Sequence, residues 1–236
     1  GYYDEIARAD YNIGLVVEVL RQQKILDNTL IIVLSDNGSQ IGGAKTTLYD
    51  EGLKTPLVMR FPAAIRSGIA NQQLVSTVDI MPTVLALAGI APLPDAPGVQ
   101  LWPTLENPDI SVRDYIYAER NTHGQPHFSR IIRTKYYLYK RNYLNKKLCD
   151  PMADTIWDPD KPRHKRHAQF YDLQRDPRAR KNLLMDPEYR SDLNRARERL
   201  SAIMYETGQQ PPSLIMEECK LRPLHERIIF PLLSSE

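Results

Sequence analysis

Leu30-Ile31-Ile32-Val33-Leu34 is a run of five apolar residues with no polar one among them. A run of this kind has the form of a strand buried on both faces of a parallel sheet, which requires helices on either side. Helices are predicted where they are needed. Ile6, Ala9, Ile13, Val16, Val17 and Leu20 repeat at helical spacing before the run, and Asp27-Asn28 marks a turn between. Leu57-Val58-Met59, opened by Pro56 and closed by Pro62, is a second short strand. Ile80 to Ala88 reads as a helix, with Asp79 as its N-cap, Pro82 in its first turn and Gly89 just past its end. Helix, strand, loop, strand, helix in this order predicts an α/β sheet layered with helices.

After a Pro-rich, irregular stretch from Pro92 to Pro108 the texture changes. Asp114 to Ala118, Ile131 to Tyr139 and Phe170 to Leu173 read as strands, the second rich in Tyr and β-branched residues. A helix follows from Asp186-Pro187, with Leu193, Ala196, Leu200, Ile203 and Met204 on one face and Gly208 at its end. This is the pattern of a small α+β subdomain with an antiparallel sheet and one packing helix. The expected division is therefore 1–108 and 109–236, the tail from Pro211 showing no period. A net charge of +2 over 236 residues gives no footprint for nucleic acid or an acidic membrane surface. No run approaches the length of a membrane span. The chain opens on Gly1-Tyr2-Tyr3-Asp4 and runs straight into a helical pattern, which reads as a cut or processed end. Cys149 and Cys219 are compatible with one disulfide or with two thiols.

The buried run ends on chemistry. Asp36, Asn37 and Gly38 follow it at once, and Lys45 stands eight residues past Asn37. In open α/β sheets, ligands sit outside the carboxyl ends of the strands. A carboxylate and an amide oxygen are hard donors suited to Ca²⁺ or Mg²⁺. Gly38 is expected to let the backbone turn sharply, and Gly42-Gly43 to let Lys45 return to the same mouth. A divalent cation beside an ammonium is an arrangement for a tetrahedral oxyanion, phosphate or sulfate. Ser-Asp-Asn-Gly is equally a common turn, since Asp and Asn bond their own backbone locally.

The segments LSDNG and TTLYDEGLKTPLVMRFP, with YYDEIARADYNIG before them and VSTVDIMPTVLALAGI and FYDLQRDPRARKNLLMDPEY after them, resemble in order the second half of the sulfatase family, within the alkaline-phosphatase-like superfamily. Arg178-Ala179-Arg180 departs from the family pattern, where an acidic residue is usual. Within the family, the DNG form, GAKTTLY and the tail YETGQQPP with CKLRPLHE resemble most the heparan N-sulfatases (sulfamidases). The resemblance implies part of an alkaline-phosphatase-like sheet and a Ca²⁺-dependent hydrolase of glycosaminoglycan degradation acting on a sulfated saccharide. It implies a periplasmic, secreted or lysosomal setting. It makes Asp36 and Asn37 metal ligands and Lys45 the sulfate-binding residue, where sulfamidases tend to carry Arg.

The same resemblance implies a formylglycine nucleophile formed from C/S-x-P-x-R. Neither Cys149 nor Cys219 lies in such a motif. The nucleophile and the remaining metal ligands are thus expected in an N-terminal half of the same enzyme, or in another chain, and this polypeptide is expected to be inactive alone. A chain severed so would present an uncovered apolar face. Glu119, His123 and His127, placed in the loop after the strand Asp114 to Ala118, are candidates to touch the sugar or to be merely exposed. Two basic runs, Arg130 to Lys147 and Lys161 to His167, read as solvated faces or as contacts for a polyanionic glycan. Two alternatives stay open: a phosphoesterase or phosphonate monoester hydrolase of the same superfamily, and a non-catalytic module binding anionic glycan.

Overall fold

The computed structural model describes residues 1–41, 44–123, 125–143 and 168–208, without the side chains at 122, 123 and 125–127. They form two compact units. One holds Gly1–Asp36, Thr55–Gln73 and Thr77–Val112; the other holds Asn37–Lys54, Leu74–Ser76 and the described residues from Arg113 on. The Asn37–Lys54 segment thus groups with the later half of the chain.

In the first unit, helix α1 (Tyr2–Gln22) carries Asp4 and Glu5 in its first turn and Arg21 in its last, the charge order its dipole favours. Its predicted apolar stripe is present, but no residue of α1 is buried; Ile6 is 51% and Val16 61% exposed. Strand β1 (Ile31–Leu34) pairs with β2 (Leu57–Arg60) in antiparallel register, Ile31 opposite Arg60 and Leu34 opposite Leu57. This corrects the parallel expectation for the apolar run. Such a run reports burial, not the direction of its neighbour, and here the strand is only half covered, with Leu34 exposed. Arg60 ties down the turn before β1, donating to Leu26 O at 2.9 Å and to Asp27 Oδ1 at 2.5 Å.

Helix α3 (Ile80–Leu87) starts after Asp79 as predicted, and Gly89 follows with φ 68°. Asp79 does not cap it. The carboxylate is fully buried and accepts from Val99 N at 2.9 Å instead. Thr83 Oγ1 donates to Asp79 O at 2.6 Å and accepts from Leu101 N at 2.9 Å, and Trp102 Nε1 donates to Thr83 O at 3.1 Å. The Asp79–Thr83 segment is therefore a clamp on residues 99–102. It leads into a short helix, α4 (Trp102–Glu106), inside the stretch that reads as irregular.

The second unit contains a four-stranded antiparallel sheet in the order β3 (Tyr115–His123), β4 (Gln125–Thr134), β5 (Tyr137–Asn142), β6 (Ala168–Asp172). Two expectations are corrected. The strand expected over 131–139 is a hairpin: Thr134 Oγ1 accepts from the amides of Tyr136 and Tyr137 and turns the chain. The strand expected to end at Ala118 runs on to His123, so Glu119 and His123 lie in β3 and His127 in β4, not in a loop. Alternation then sorts the sheet's faces. Ile132, Tyr139 and Phe170 pack with Leu193, Ala196, Leu200, Ile203 and Met204 of helix α5 (Arg190–Glu206), the five positions read from its period. Ile131, Leu138 and Tyr171 pack on the other side with Leu48 and Tyr49.

The basic run is only in part a solvated face where it is described: Lys135 is exposed, but Arg130, Lys140 and Arg141 are buried. Lys140 (2% exposed) lies over the Tyr49 ring at 4.5 Å, Arg130 (2%) pairs with Glu119, and Arg133 grips Asp50 at 2.9 and 3.2 Å. Strand alternation carries these stems inward, where a ring face or a carboxylate meets the charge. Lys146, Lys147, the 161–167 run and both cysteines lie outside the described residues.

The FYDLQRDPRARKNL segment is scaffold. Asp172 Oδ1 accepts from the amides of Gln174 and Arg175, and Oδ2 from the Tyr189 hydroxyl. Asp176 holds the amides of Arg180 and Lys181, and Asn182 those of Phe170 and Leu184. Burial pushes the Asp172 carboxyl up, but the Arg175 and Gln174 amides, the Tyr189 hydroxyl and the Arg175 charge together hold it below its ordinary 3.8. A lowered folded value gives stability that is complete above the ordinary value and lost as pH falls through the folded one. Asp172→Asn is therefore expected to flatten the acid limb of the stability curve, read by thermal denaturation from about pH 6 to about pH 2. An unchanged limb would contradict this assignment.

Candidate active-site loop

Asp36 ends the first unit's opening segment and is exposed; the next peptide bond leads to Asn37 and into the second unit. From there a loop is built by main-chain contacts. Gly38 N donates to Gly52 O at 2.9 Å, just before the end of the short helix α2 (Asp50–Leu53). Lys45 N donates to Ser39 O at 2.9 Å, and Thr47 N to Ala44 O at 3.0 Å. The backbone at Lys45 is thereby returned to within two residues of Asn37. Gly42 and Gly43, which were expected to permit this, lie outside the described residues.

Gly38 is required for a different reason from the one expected. It is absent from the positive-φ glycines, which are Gly68, Gly89 and Gly208 among the described residues. A Cβ at Gly38 would lie 2.1 Å from Glu51 O, and one at Gly52 2.4 Å from Ala44 O. Both glycines serve close backbone approach rather than a left-handed turn. The left-handed residue of the loop is Thr46, with φ 71°. Its carbonyl accepts from Arg120 Nη1 at 2.8 Å.

Asn37 is half-buried, and its Nδ2 donates to Gly38 O at 2.7 Å. That bond commits the nitrogen end of the amide to the chain; the oxygen end is the hard donor. Asp36 and Asn37 fit a Ca²⁺ or Mg²⁺ ion in kind. In number they are two of the six or so oxygens such an ion takes. No group of three or more His, Cys, Asp or Glu suited to a metal gathers among the described residues.

Glu119 is half-buried, and both of its carboxylate oxygens are engaged. Oε2 accepts from the Tyr117 hydroxyl at 2.9 Å and lies 3.2 Å from Arg130 Nε, while Oε1 accepts from Asn121 Nδ2 at 3.1 Å. Burial first, then this carboxylate, push the Tyr117 phenol well above its ordinary range. The backbone puts His123 and Gln125 opposite each other at the tip of the β3–β4 hairpin. The side chains of His123 and His127 lie outside the described residues.

A two-stranded β1–β2 pair, with helices before and after it in the chain, and a separate four-stranded antiparallel sheet with one packing helix make up an alkaline-phosphatase-like α/β chain. The protein BT4656, solved in complex with its substrate D-glucosamine-2-N,6-O-disulfate, superposes with a TM-score of 0.73 at 25% identity, over 88% of this chain and 40% of that one. The sulfatase family model matches residues 1–90. An ulvan-active sulfatase of Formosa agariphila is 32% identical over 81% of this chain, and the human N-sulphoglucosamine sulphohydrolase is 25% identical over 96%. The chain belongs to the sulfatase family. It spans 40% and 52% of the length of those two relatives.

Proposed function

We propose that this chain is the C-terminal portion of a Ca²⁺-dependent sulfatase that hydrolyses sulfate esters or sulfamates of sulfated, heparan-type saccharides. The observation that carries the reading is the return of the Lys45 backbone to Ser39, in a segment pinned by Gly38 against Gly52. It sets an ammonium-bearing residue on the turn that holds Asn37, whose chain neighbour is Asp36.

In this reading Asp36 and Asn37 supply two oxygen ligands to Ca²⁺, with Mg²⁺ the other candidate. A cation bound there supplies positive charge beside the sulfate. Lys45 binds a sulfate oxygen as a point charge, without the two-pronged grip of an arginine. The remaining ligands and the formylglycine nucleophile belong to sequence outside this chain, and that same N-terminal part is the partner proposed for the apolar stripe of α1. The substrate of BT4656 and the names of the relatives support a sulfated saccharide as the substrate class. His123 and His127, at the hairpin next to Glu119, are the proposed sugar contacts.

The test uses the complete gene product that contains this chain, assayed on a sulfated glucosamine. Lys45→Ala is expected to lower kcat/KM by about 10²–10³-fold, the loss typical of one oxyanion-stabilising group. Lys45→Arg is expected to retain most of the activity, because the charge is kept. Turnover that is indifferent to Lys45→Ala would sink the reading.

A further inference from the structure

Arg120 has no role in the site as read from the sequence, yet its side chain reaches the loop. It stands on β3 where the register with β4 shifts, between Arg120 and Thr122. Such an irregularity bends a strand and re-aims the side chain beside it. From there Arg120 Nη1 donates to the carbonyl of Thr46, the residue directly after Lys45. Thr46 holds φ 71°, a conformation a β-branched side chain rarely adopts and keeps only when its surroundings impose it. Arg120 Nε is buried and meets no hydrogen-bond acceptor among the described residues. Among the described residues the Thr46 carbonyl accepts from this guanidinium, and a donor left orphaned is a cost the fold bears beside it.

We infer that Arg120 is a positioning residue: by holding the Thr46 carbonyl it fixes where the Lys45 ammonium stands, and so sets the affinity of this loop for a tetrahedral oxyanion of the sulfate class. The inference rests on the reading of Lys45 given above. Three further contacts make the placement stiff rather than loose. Lys45 N is held by Ser39 O, Thr47 N by Ala44 O, and Asp50, at the far end of the loop, by Arg133. Arg120 is the member of this set that acts on the peptide between Lys45 and Thr47. Without it, Thr46 is free to leave the left-handed region, which swings the Lys45–Thr46 peptide and carries the side chain with it.

The experiment compares wild type, Arg120→Met, Arg120→Lys and Lys45→Ala. Hydrogen exchange is read at the Lys45 and Thr47 amides, inorganic sulfate binding by titration, and kcat and KM in the complete gene product. Arg120→Met also deletes the orphaned Nε, so the sheet's thermal transition is expected to persist. Expected results are exchange at Lys45 and Thr47 faster by about tenfold or more, sulfate bound about tenfold more weakly, and a raised KM with a smaller change in kcat. Arg120→Lys, which keeps a donor but not the fork, is expected to restore part of both.

Unchanged exchange in Arg120→Met overturns the inference, since the clamp then does not hold the loop. Faster exchange with unaltered sulfate affinity, while Lys45→Ala abolishes binding, also overturns it. Sulfate affinity indifferent to Lys45→Ala overturns the anion reading itself and with it the consequence assigned to Arg120.

Discussion

Gly38→Ala is expected to remove sulfate affinity as completely as Lys45→Ala while leaving every charged group in place. The new methyl carbon would stand 2.1 Å from Glu51 O and 2.8 Å from the carbonyl carbon of Gly52. These are main-chain atoms, so no side-chain rotation relieves the overlap. The turn at Asn37-Gly38 and the segment at Glu51-Gly52 must separate, which breaks the Gly38 N to Gly52 O bond. Overpacking of this kind costs about 1–3 kcal/mol. Its functional cost is larger, because Asn37 and Lys45 keep their relation only while Ser39 stays beside Lys45. Sulfate titration and hydrogen exchange over residues 38–52 check it. Gly14→Ala is the control: nothing lies within 4 Å of the added carbon, and an exposed helix interior gains about 0.5–1 kcal/mol from the exchange. Retained sulfate affinity in Gly38→Ala would mean that the loop is not the locked structure described.

Phe170→Ala is expected to have the largest effect on stability. Phe170 is fully buried on β6, stacked against Tyr137 at 5.4 Å and near Tyr189 at 6.2 Å between ring centres. It sits where the sheet meets α5, in the cluster with Ala196 and Leu200. Truncating a buried aromatic costs about 3–5 kcal/mol, the lost transfer energy and the cavity acting together. A domain of about 100 residues moves by several degrees per kcal/mol, so a fall in Tm of more than about 12 °C is expected. The Phe170 amide, held by Asn182, is untouched by the change, which confines the effect to packing. A shift of only a degree or two would show that this cluster does not carry the subdomain.

The segments that resemble the sulfatase family divide into two kinds once their contacts are known. FYDLQRDPRARKNL and the Asp79–Thr83 stretch carry polar residues that suggest chemistry, yet their carboxylates, amides and hydroxyls are spent on main-chain amides. They are scaffold in the dress of function. The LSDNG turn is the one for which a ligand-binding role is proposed, on the return of the Lys45 backbone to Ser39. A polar motif cannot be sorted into one kind or the other from its letters, because a buried carboxylate that caps a turn and one that binds a metal need the same residue.

The sequence by itself determined the elements whose cause is local. The period of Leu193, Ala196, Leu200, Ile203 and Met204 marks the buried stripe of α5, because side chains three and four apart share a helix face. Gly89 and Gly208 mark helix ends, because they take positive φ without strain. Tertiary structure alone decided the rest. It set the antiparallel partner of β1, the hairpin at Thr134, the burial of Lys140 and Arg130, the close approach that Gly38 serves and the hold of Arg120 on Thr46. Apart from the turn at Thr134, which is local, these depend on atoms brought together from distant positions of the chain, as Lys140 meets Tyr49 and Arg120 meets Thr46. Periodicity registers which way a residue faces, and carries no record of what it will face.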